Sequence, residues 1–354
     1  MERQLMKGNE AIAEAAIRAG CRYFFGYPIT PQNEIPEYMS SHMPKVGGCY
    51  LQAESETAAI NMVYGASAAG QRVMTSSSSP GISLKQEGIS FLACTELPAV
   101  IVNIMRTGPG LGGILSSQGD YFQAVKGGGH GDYRIVVLAP ASVQEAVELV
   151  MEAFEIADQY RTPVMLMGDG MIGTMMEPVV FGAPKKRELP KKDWACTGWD
   201  GESRNRAVIN SLYIEPELMN AVINRLAVKY DEIKKNETRC EEYMMDDANI
   251  CITAYGSVGR IAKSAVRMLR SENIRAGLIR PITLWPFPEA SYQTAVSHID
   301  AFLTVEMSTG QMVEDVRLAV NGKKPVDFLG VVGGFVPTPE EIVDRVKTLM
   351  RVEQ

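Results

Sequence analysis

The sequence predicts an α/β fold: a mainly parallel-sheet domain, a connecting segment and a second, smaller α/β domain. Three observations carry this. Short apolar runs alternate with helical stretches through residues 1–182, the rhythm of strands joined by crossover helices. Ala99 to Met105 is almost continuously apolar, as a strand covered on both faces must be. Residues 248–354 repeat a strand-then-helix unit. A length of 354 residues suits two domains at ~150 residues each.

The elements follow in chain order. Residues 9–19 form an Ala-rich helix, with Asn9 placed to cap it and Gly20 to stop it. Cys21 to Phe25 is a strand, ended by Tyr27-Pro28-Ile29-Thr30-Pro31, where two prolines forbid regular structure. Residues 55–69 are helical, with Ile60, Val63, Ala66 and Ser67 on one side. Val73 to Thr75 is a strand, and Ser76 to Gly81 is rich in turn formers. A helix at 83–93 precedes the strand Ala99 to Met105. Val136 to Leu138, a helix at about 142–159 and Pro163 to Met167 complete the first domain.

Residues 183–247 differ in character. The stretch 184–206 carries Lys185, Lys186, Arg187, Lys191 and Lys192 and reads as an irregular surface arm. Residues 216–243 place Met219, Val222, Ile223, Leu226, Tyr230 and Ile233 at helical spacing, as one long amphipathic helix. It is either a connector packed on the first domain or a subunit contact. In 248–354 the strands are Ile250 to Ala254, Ala276 to Arg280, Ala301 to Glu306 and Phe328 to Val332. Each leads into a helix, the last opened by a Thr338/Glu341 capping box.

Composition excludes several functions. Hydrophobic residues make up 46% and charged residues 22%, a globular balance. Lys plus Arg total 35 against 42 Asp plus Glu, a net charge of -7 that gives no electrostatic reason to bind nucleic acid or an acidic membrane. No apolar run approaches the ~18 residues of a membrane helix. The first residues lack the apolar core of a secretory signal, so a cytoplasmic location is expected. The six cysteines form no Cys-x-x-Cys pair, and there are three histidines. A zinc site, or an iron–sulfur cluster held by this chain alone, is therefore not expected, and reduced thiols are.

Several motifs bear on chemistry. Gly108-Pro109-Gly110-Leu111-Gly112-Gly113 matches the dinucleotide fingerprint, with Asp132 downstream. No helix pattern begins inside those glycines, so a mobile loop is the plainer reading. Gly127 to Gly131 fits a second loop of close approach. Tyr255-Gly256-Ser257-Val258-Gly259 is either a tight strand-to-helix turn or an anion-binding helix start. Glu54 and Glu56 enter an Ala-rich helix, where Glu56 falls in the first turn. The stiff loop 27–31 lies at the strand edge where open parallel sheets bind ligands. Its Thr30 hydroxyl, with the Arg106 fork from a neighbouring strand end, suits a carboxylate.

Together and in this order, these pieces resemble the α subunit of 2-oxoacid:ferredoxin oxidoreductases. The resemblance rests on Tyr27 to Pro31, Gln52 to Glu56, Pro80 to Gly88, Arg106 to Pro109, Gly129 to Asp132 and Arg280 to Pro288. Within the family the chain looks most like the branched-chain subtype acting on 3-methyl-2-oxobutanoate. Many relatives have Ser-Gly-Pro-Gly where this chain has Ser78-Ser79-Pro80-Gly81.

The resemblance implies a thiamine diphosphate pyrimidine-binding domain at 1–182 and a linker at 183–247. It implies a domain like the transketolase C-terminal domain at 248–354. It implies that Glu56 hydrogen-bonds N1′ of the aminopyrimidine, promoting removal of the thiazolium C2 proton. Tyr27, Pro28 and Ile29 would contact the cofactor, and Thr30 and Arg106 would hold the substrate carboxylate. A separate β subunit would bind the diphosphate, Mg²⁺ and a [4Fe–4S] cluster, with γ and ferredoxin-like δ subunits completing the complex. The implied reaction turns a 2-oxo acid and coenzyme A into acyl-CoA and CO₂ while reducing ferredoxin. Near rivals are the 2-oxoglutarate and pyruvate enzymes. Readings of another class are a non-catalytic scaffold and a stand-alone NAD-dependent dehydrogenase using the Gly108 loop.

Overall fold

The computed structural model describes residues 3–183, 187–199, 201–202 and 206–352 of the chain, with the backbone alone at 351–352. Lys185 and Lys186 of the expected arm lie outside the described residues. The chain begins with strand β1 (Gln4–Lys7) and helix α1 (Gly8–Arg18). There follow β2 (Tyr23–Gly26), α2 (Glu34–His42), β3 (Cys49–Gln52), α3 (Glu56–Ala68), β4 (Val73–Ser77), α4 (Ser79–Cys94) and β5 (Ala99–Met105). Then come α5 (Tyr121–Val125), β6 (Val136–Leu138), α6 (Val143–Tyr160), β7 (Pro163–Asp169), α7 (Gly170–Thr174) and β8 (Met176–Val179).

The first sheet orders its strands β3-β2-β4-β5-β7-β6, all parallel. β5 is buried at every residue, as its unbroken apolar run requires. α2 was not expected, because Pro31 and Pro36 mask its pattern. Pro36 sits in its first turn, where the missing N–H costs no helical bond. α4 starts four residues earlier than the expected 83 for the same reason, with Pro80 in its opening turn.

The connector holds α8 (Pro216–Glu237). It buries Val222, Leu226, Tyr230 and Ile233 on the first domain's core. The expected helix to 243 ends at Glu237 instead, and Cys240–Tyr243 is strand β9. Arg187 and Arg239 both pair with the Glu237 carboxylate there. The remaining elements are β10 (Ile250–Thr253), α9 (Gly256–Ser271), β11 (Ala276–Pro281), β12 (Thr283–Trp285), α10 (Glu289–Ala295), β13 (Ala301–Glu306), α11 (Met312–Val320), β14 (Val326–Gly330) and α12 (Pro339–Val352). The Thr338/Glu341 capping box is present in both directions.

The second sheet runs β14-β13-β10-β11-β9, with only β9 antiparallel. β12 was not foreseen. It leaves the second sheet and adds antiparallel to β6 of the first. Arg280, just before it, forks onto Glu145 of α6 at 2.8 and 3.1 Å and bonds Glu241 of β9 at 2.7 Å. The Arg280–Pro288 motif thus splices the two sheets. No helix among the described residues is long and apolar enough to cross a membrane.

Candidate active site

The first sheet changes direction of growth at β2. From β2 the chain goes to β3 on one side, then returns to β4 on the other. The crevice beyond the carboxyl ends of β2 and β4 is therefore the ligand position of an open α/β sheet. The residues that follow those strands, 27–31 and Ser78 to Gly81, form its walls.

Loop 27–31 is braced from behind. Asn9 was expected to cap α1, but the helix begins at Gly8. Its buried side chain instead donates to the Pro31 carbonyl at 2.8 Å and to Glu34 at 2.8 Å. Gln32 donates to the Tyr27 carbonyl at 3.3 Å and accepts from Ser76 at 2.5 Å. Tyr27 and Pro28 are left exposed, and Ile29 and Thr30 half-buried.

Thr30 and Arg106 meet. Arg106 Nη1 donates to the Thr30 carbonyl at 3.0 Å, and Nη2 donates to Leu111 O at 2.8 Å. Its Nε is buried without a partner. Ser79 fixes the backbone beneath: its hydroxyl accepts from Arg106 N at 3.0 Å and donates to Asp120 at 2.6 Å. Asn103 also donates to Asp120, at 2.9 Å. Burial raises the Asp120 carboxyl above its usual range, against the pull of those two bonds.

The two carboxylates before α3 separate. Glu54 is exposed, and Glu56 is 7% exposed. Ser55 caps the helix by accepting from Ala58 N at 3.1 Å, which leaves Glu56 free of capping duty. Its Oε1 lies 2.7 Å from the place a Cβ on Gly81 would take. Among the described residues no donor reaches the Glu56 carboxylate, while the Ser77 hydroxyl, which also lies against Gly81, and the Ser78 hydroxyl next along the chain are buried and unpartnered. This is a cradle with an acceptor lacking a donor, hydroxyls lacking partners, and a missing side chain.

The sequence reading passed over Lys85. It is fully buried on α4 and donates to Thr75 Oγ1 at 3.0 Å and to Ser76 O at 3.2 Å. Burial pulls its ammonium down to about 7, and the Glu56 charge opposes that shift. A lysine at helical spacing between two glycines, Gly81 and Gly88, was the available signal.

The glycine motifs resolve differently. The 108–113 loop starts no helix; Gly113 N bonds Thr107 O at 2.9 Å, and a Cβ on Gly112, at φ +62, would strike that carbonyl. Gly129 N donates to the Tyr133 hydroxyl at 3.0 Å, and the loop lies over Gln86 of α4. The N-terminus of α9 does hold an anion, but an internal one. Asp169 accepts from Ser257 N at 3.2 Å and Ser257 Oγ at 2.6 Å.

Two family models match. Residues 14–230 fit the pyruvate flavodoxin/ferredoxin oxidoreductase, thiamine diphosphate-binding model, and residues 248–342 fit pyruvate:ferredoxin oxidoreductase core domain II. The chain is 50% identical over 347 residues to ketoisovalerate oxidoreductase subunit VorB of Methanothermobacter thermautotrophicus, covering 98% of each. The chain belongs to the 2-oxoacid:ferredoxin oxidoreductase family. A solved family member, 2-oxoglutarate:ferredoxin oxidoreductase from Magnetococcus marinus with 2-oxoglutarate, coenzyme A and succinyl-CoA bound, superposes with a TM-score of 0.86 at 28% identity. That likeness covers 98% of this chain and 65% of the other. A split-gene transketolase shares the fold, with a TM-score of 0.61 at 15% identity over 99% of both chains.

In this oxidoreductase subunit the first domain is thus of the thiamine diphosphate-binding kind. The cradle fits an aminopyrimidine ring. Glu56 presents an acceptor without a donor, the group a ring N–H would need, and Gly81, where a Cβ would stand 2.7 Å from Glu56 Oε1, lets α4 come close beside that carboxylate. Among the described residues no three His, Cys, Asp or Glu side chains converge to hold a metal.

Proposed function

We propose that this chain supplies the aminopyrimidine half of a thiamine diphosphate site in an enzyme that oxidatively decarboxylates a branched-chain 2-oxo acid to its acyl-CoA. The observation that carries this is that the start of α4 borders both an unpartnered Glu56 carboxylate, against Gly81, and the Thr30–Arg106 pair, braced by Ser79, at the sheet's switch point. When bound, the cofactor supplies a carbon nucleophile and an electron sink for decarboxylation. Glu56 Oε1 shares a proton with its ring nitrogen N1′. Tyr27, Pro28 and Ile29 line its approach. Thr30 Oγ1 and the unpartnered Arg106 Nε face the substrate carboxylate, with the guanidinium plane held by the Thr30 and Leu111 carbonyls. Thr30 Oγ1 already accepts from Asn33 Nδ2 at 3.3 Å, which leaves its proton for the carboxylate.

The 50% likeness to a ketoisovalerate oxidoreductase subunit supports 3-methyl-2-oxobutanoate as the substrate. The domain division 1–182, 183–247 and 248–354 belongs to the same proposal, as does a cytoplasmic location. A β subunit carries the diphosphate, Mg²⁺ and a [4Fe–4S] cluster, with γ and ferredoxin-like δ subunits alongside, and ferredoxin takes the electrons. Leu111, Ile114 and Leu115, on the loop that Arg106 holds, are 80%, 60% and 58% exposed. Apolar side chains so exposed beside a catalytic edge support a covering subunit.

The test is purification with the partner chains, then CoA-dependent viologen reduction across a panel of 2-oxo acids. Branched-chain acids are expected to give the highest kcat/KM; reduction by none of them overturns the reading. In the same complex, Glu56→Gln should retain all subunits yet lose thiamine diphosphate C2–H exchange. Exchange at the wild-type rate removes Glu56 from its role.

A further inference from the structure

Lys85 is a charge buried where the reaction above gives it no work. Taking an ammonium out of water costs several kcal/mol unless something compensates. The Thr75 hydroxyl and the Ser76 carbonyl take two of its three N–H groups, and neither carries a charge.

The packing of α3 on α4 shows what compensates it. Gly81, Lys85 and Gly88 fall at i, i+4 and i+7 on α4, one face of the helix. A Cβ on Gly81 would touch Glu56, and a Cβ on Gly88 would touch Ile60 at 2.6 Å. Glu56 and Ile60 are themselves one turn apart on α3. Lys85 therefore leaves α4 between the two closest approaches, on the face that meets α3 at Glu56 and Ile60, and reaches β4 at Thr75 and Ser76.

The other charged groups nearby are engaged elsewhere. β5 and β7 also pack on α4. Arg106, after β5, is spent on Thr30 and Leu111; Asp169, ending β7, caps α7 and holds Ser257. Glu87 on α4 itself is exposed, and β4 offers only uncharged groups. Among the described residues, Glu56 is the charge left facing Lys85, and it opposes the lowering that burial imposes on the ammonium.

We propose that Lys85 is a positioning residue for this site: its buried ammonium is the counter-charge that holds the Glu56 carboxylate across Gly81, aimed at the pyrimidine ring. The proposal rests on the assignment of Glu56 to N1′. It takes no part in bond making. It sets where the acceptor stands.

The test uses the intact multi-subunit complex, with Lys85→Met and Lys85→Gln beside wild type. Lys85→Gln keeps amide donors for Thr75 and Ser76 but carries no charge. Thiamine diphosphate affinity is measured by calorimetry at about pH 6 and about pH 9, either side of the value near 7 at which Lys85 loses its charge. At the lower pH both variants should bind roughly tenfold more weakly than wild type, the order expected when a buried carboxylate loses a nearby opposite charge. At the higher pH the wild-type advantage should fall toward unity, because the wild-type lysine is then neutral too. A Lys85→Gln complex that binds like wild type at the lower pH overturns the proposal, since hydrogen bonding alone would then suffice. A ratio that stays constant with pH overturns it as well.

Glu56→Gln separates the two readings. If it loses C2–H exchange while the Lys85 variants show no pH-dependent deficit, only the role of Lys85 falls. If it binds and exchanges as wild type does, the Glu56 assignment falls and takes this proposal with it. The double variant Glu56→Gln/Lys85→Met should lose nothing beyond Glu56→Gln alone. A further loss shows that Lys85 acts through some other group. If Lys85→Met does not assemble, the Lys85→Gln arm carries each comparison.

Discussion

Arg106 shows how one side chain gets its task. Two of its nitrogens are used up on the Thr30 and Leu111 carbonyls, so the guanidinium plane cannot swing. Ser79 and Asp120 fix its backbone, and its Nε is left buried and unpartnered. A buried donor without an acceptor costs about 1–3 kcal/mol, a cost that a bound carboxylate relieves. Arg106→Ala should lower kcat/KM for the 2-oxo acid by roughly 10- to 100-fold, chiefly through KM, in steady-state viologen reduction. Arg106→Lys should not rescue it, because one ammonium cannot hold the Thr30 and Leu111 carbonyls and also present a donor at the place of Nε. An unchanged kcat/KM in the alanine variant would refute the clamp. Thr30, Arg106 and Glu56 stood out in the sequence as candidates through their motifs, and the fold brings the first two into contact. Asn9 was misread as a cap, because its local pattern fits one. Its true acceptor, Pro31 O, lies 22 residues away.

At the scale of elements, the pair α3 and α4 sets the geometry of the cradle. Two glycines on α4 let the helices approach until Gly81 meets Glu56 and Gly88 meets Ile60. Gly88→Ala tests this. Replacing a helical glycine by alanine gains about 1 kcal/mol of helix propensity. Overpacking against the β-branched Ile60 at 2.6 Å costs about 1–3 kcal/mol, so the clash should win. A lowered melting temperature and weaker thiamine diphosphate binding are expected, both recovered by a compensating Ile60→Ala. A melting temperature raised by Gly88→Ala alone would show that the helices have slack. The helical patterns of α3 and α4 are plain in the sequence. The meaning of Lys85 is not, since burial against a second helix cannot be read from the first.

At the scale of the molecule, the two domains are stapled across their faces. Asp169 ends β7, caps α7 through Met171 N and Ile172 N, and holds the start of α9 through Ser257. Gln118 exchanges bonds with Met307, accepting from its N at 3.0 Å and donating its own N to Met307 O at 2.8 Å. These contacts press the 107–120 segment against the second domain. A cavity of about 440 Å³ remains between Arg106, Ser79 and Asp120 on one side and Met307, Gln311 and Val332 on the other. Asp169→Ala should destabilise the subunit by about 2–3 kcal/mol, because several donors lose a charged acceptor at once. Urea unfolding would register this, and Asp169→Asn, which keeps an acceptor oxygen, should fall in between. Equal stability of Asp169→Ala and wild type would show that the staple is dispensable.

The sequence by itself determined most element types, the strand-then-helix rhythm and the motifs that place the chain in its family, though not α2, β9 or β12. Each of these is written in residues near one another along the chain, where hydrophobic period, caps and prolines act. Tertiary structure decided the rest. It buried Glu56 and left Glu54 in water, sent β12 into the other domain's sheet, and filled the anion-ready start of α9 with Asp169. It also buried Lys85 on the face of α4 that packs against α3. These outcomes depend on which surfaces meet across long stretches of chain, as when Gln118 and Met307 pair 189 residues apart. Local patterns do not carry that information, because burial and charge balance belong to pairs of surfaces rather than to single segments.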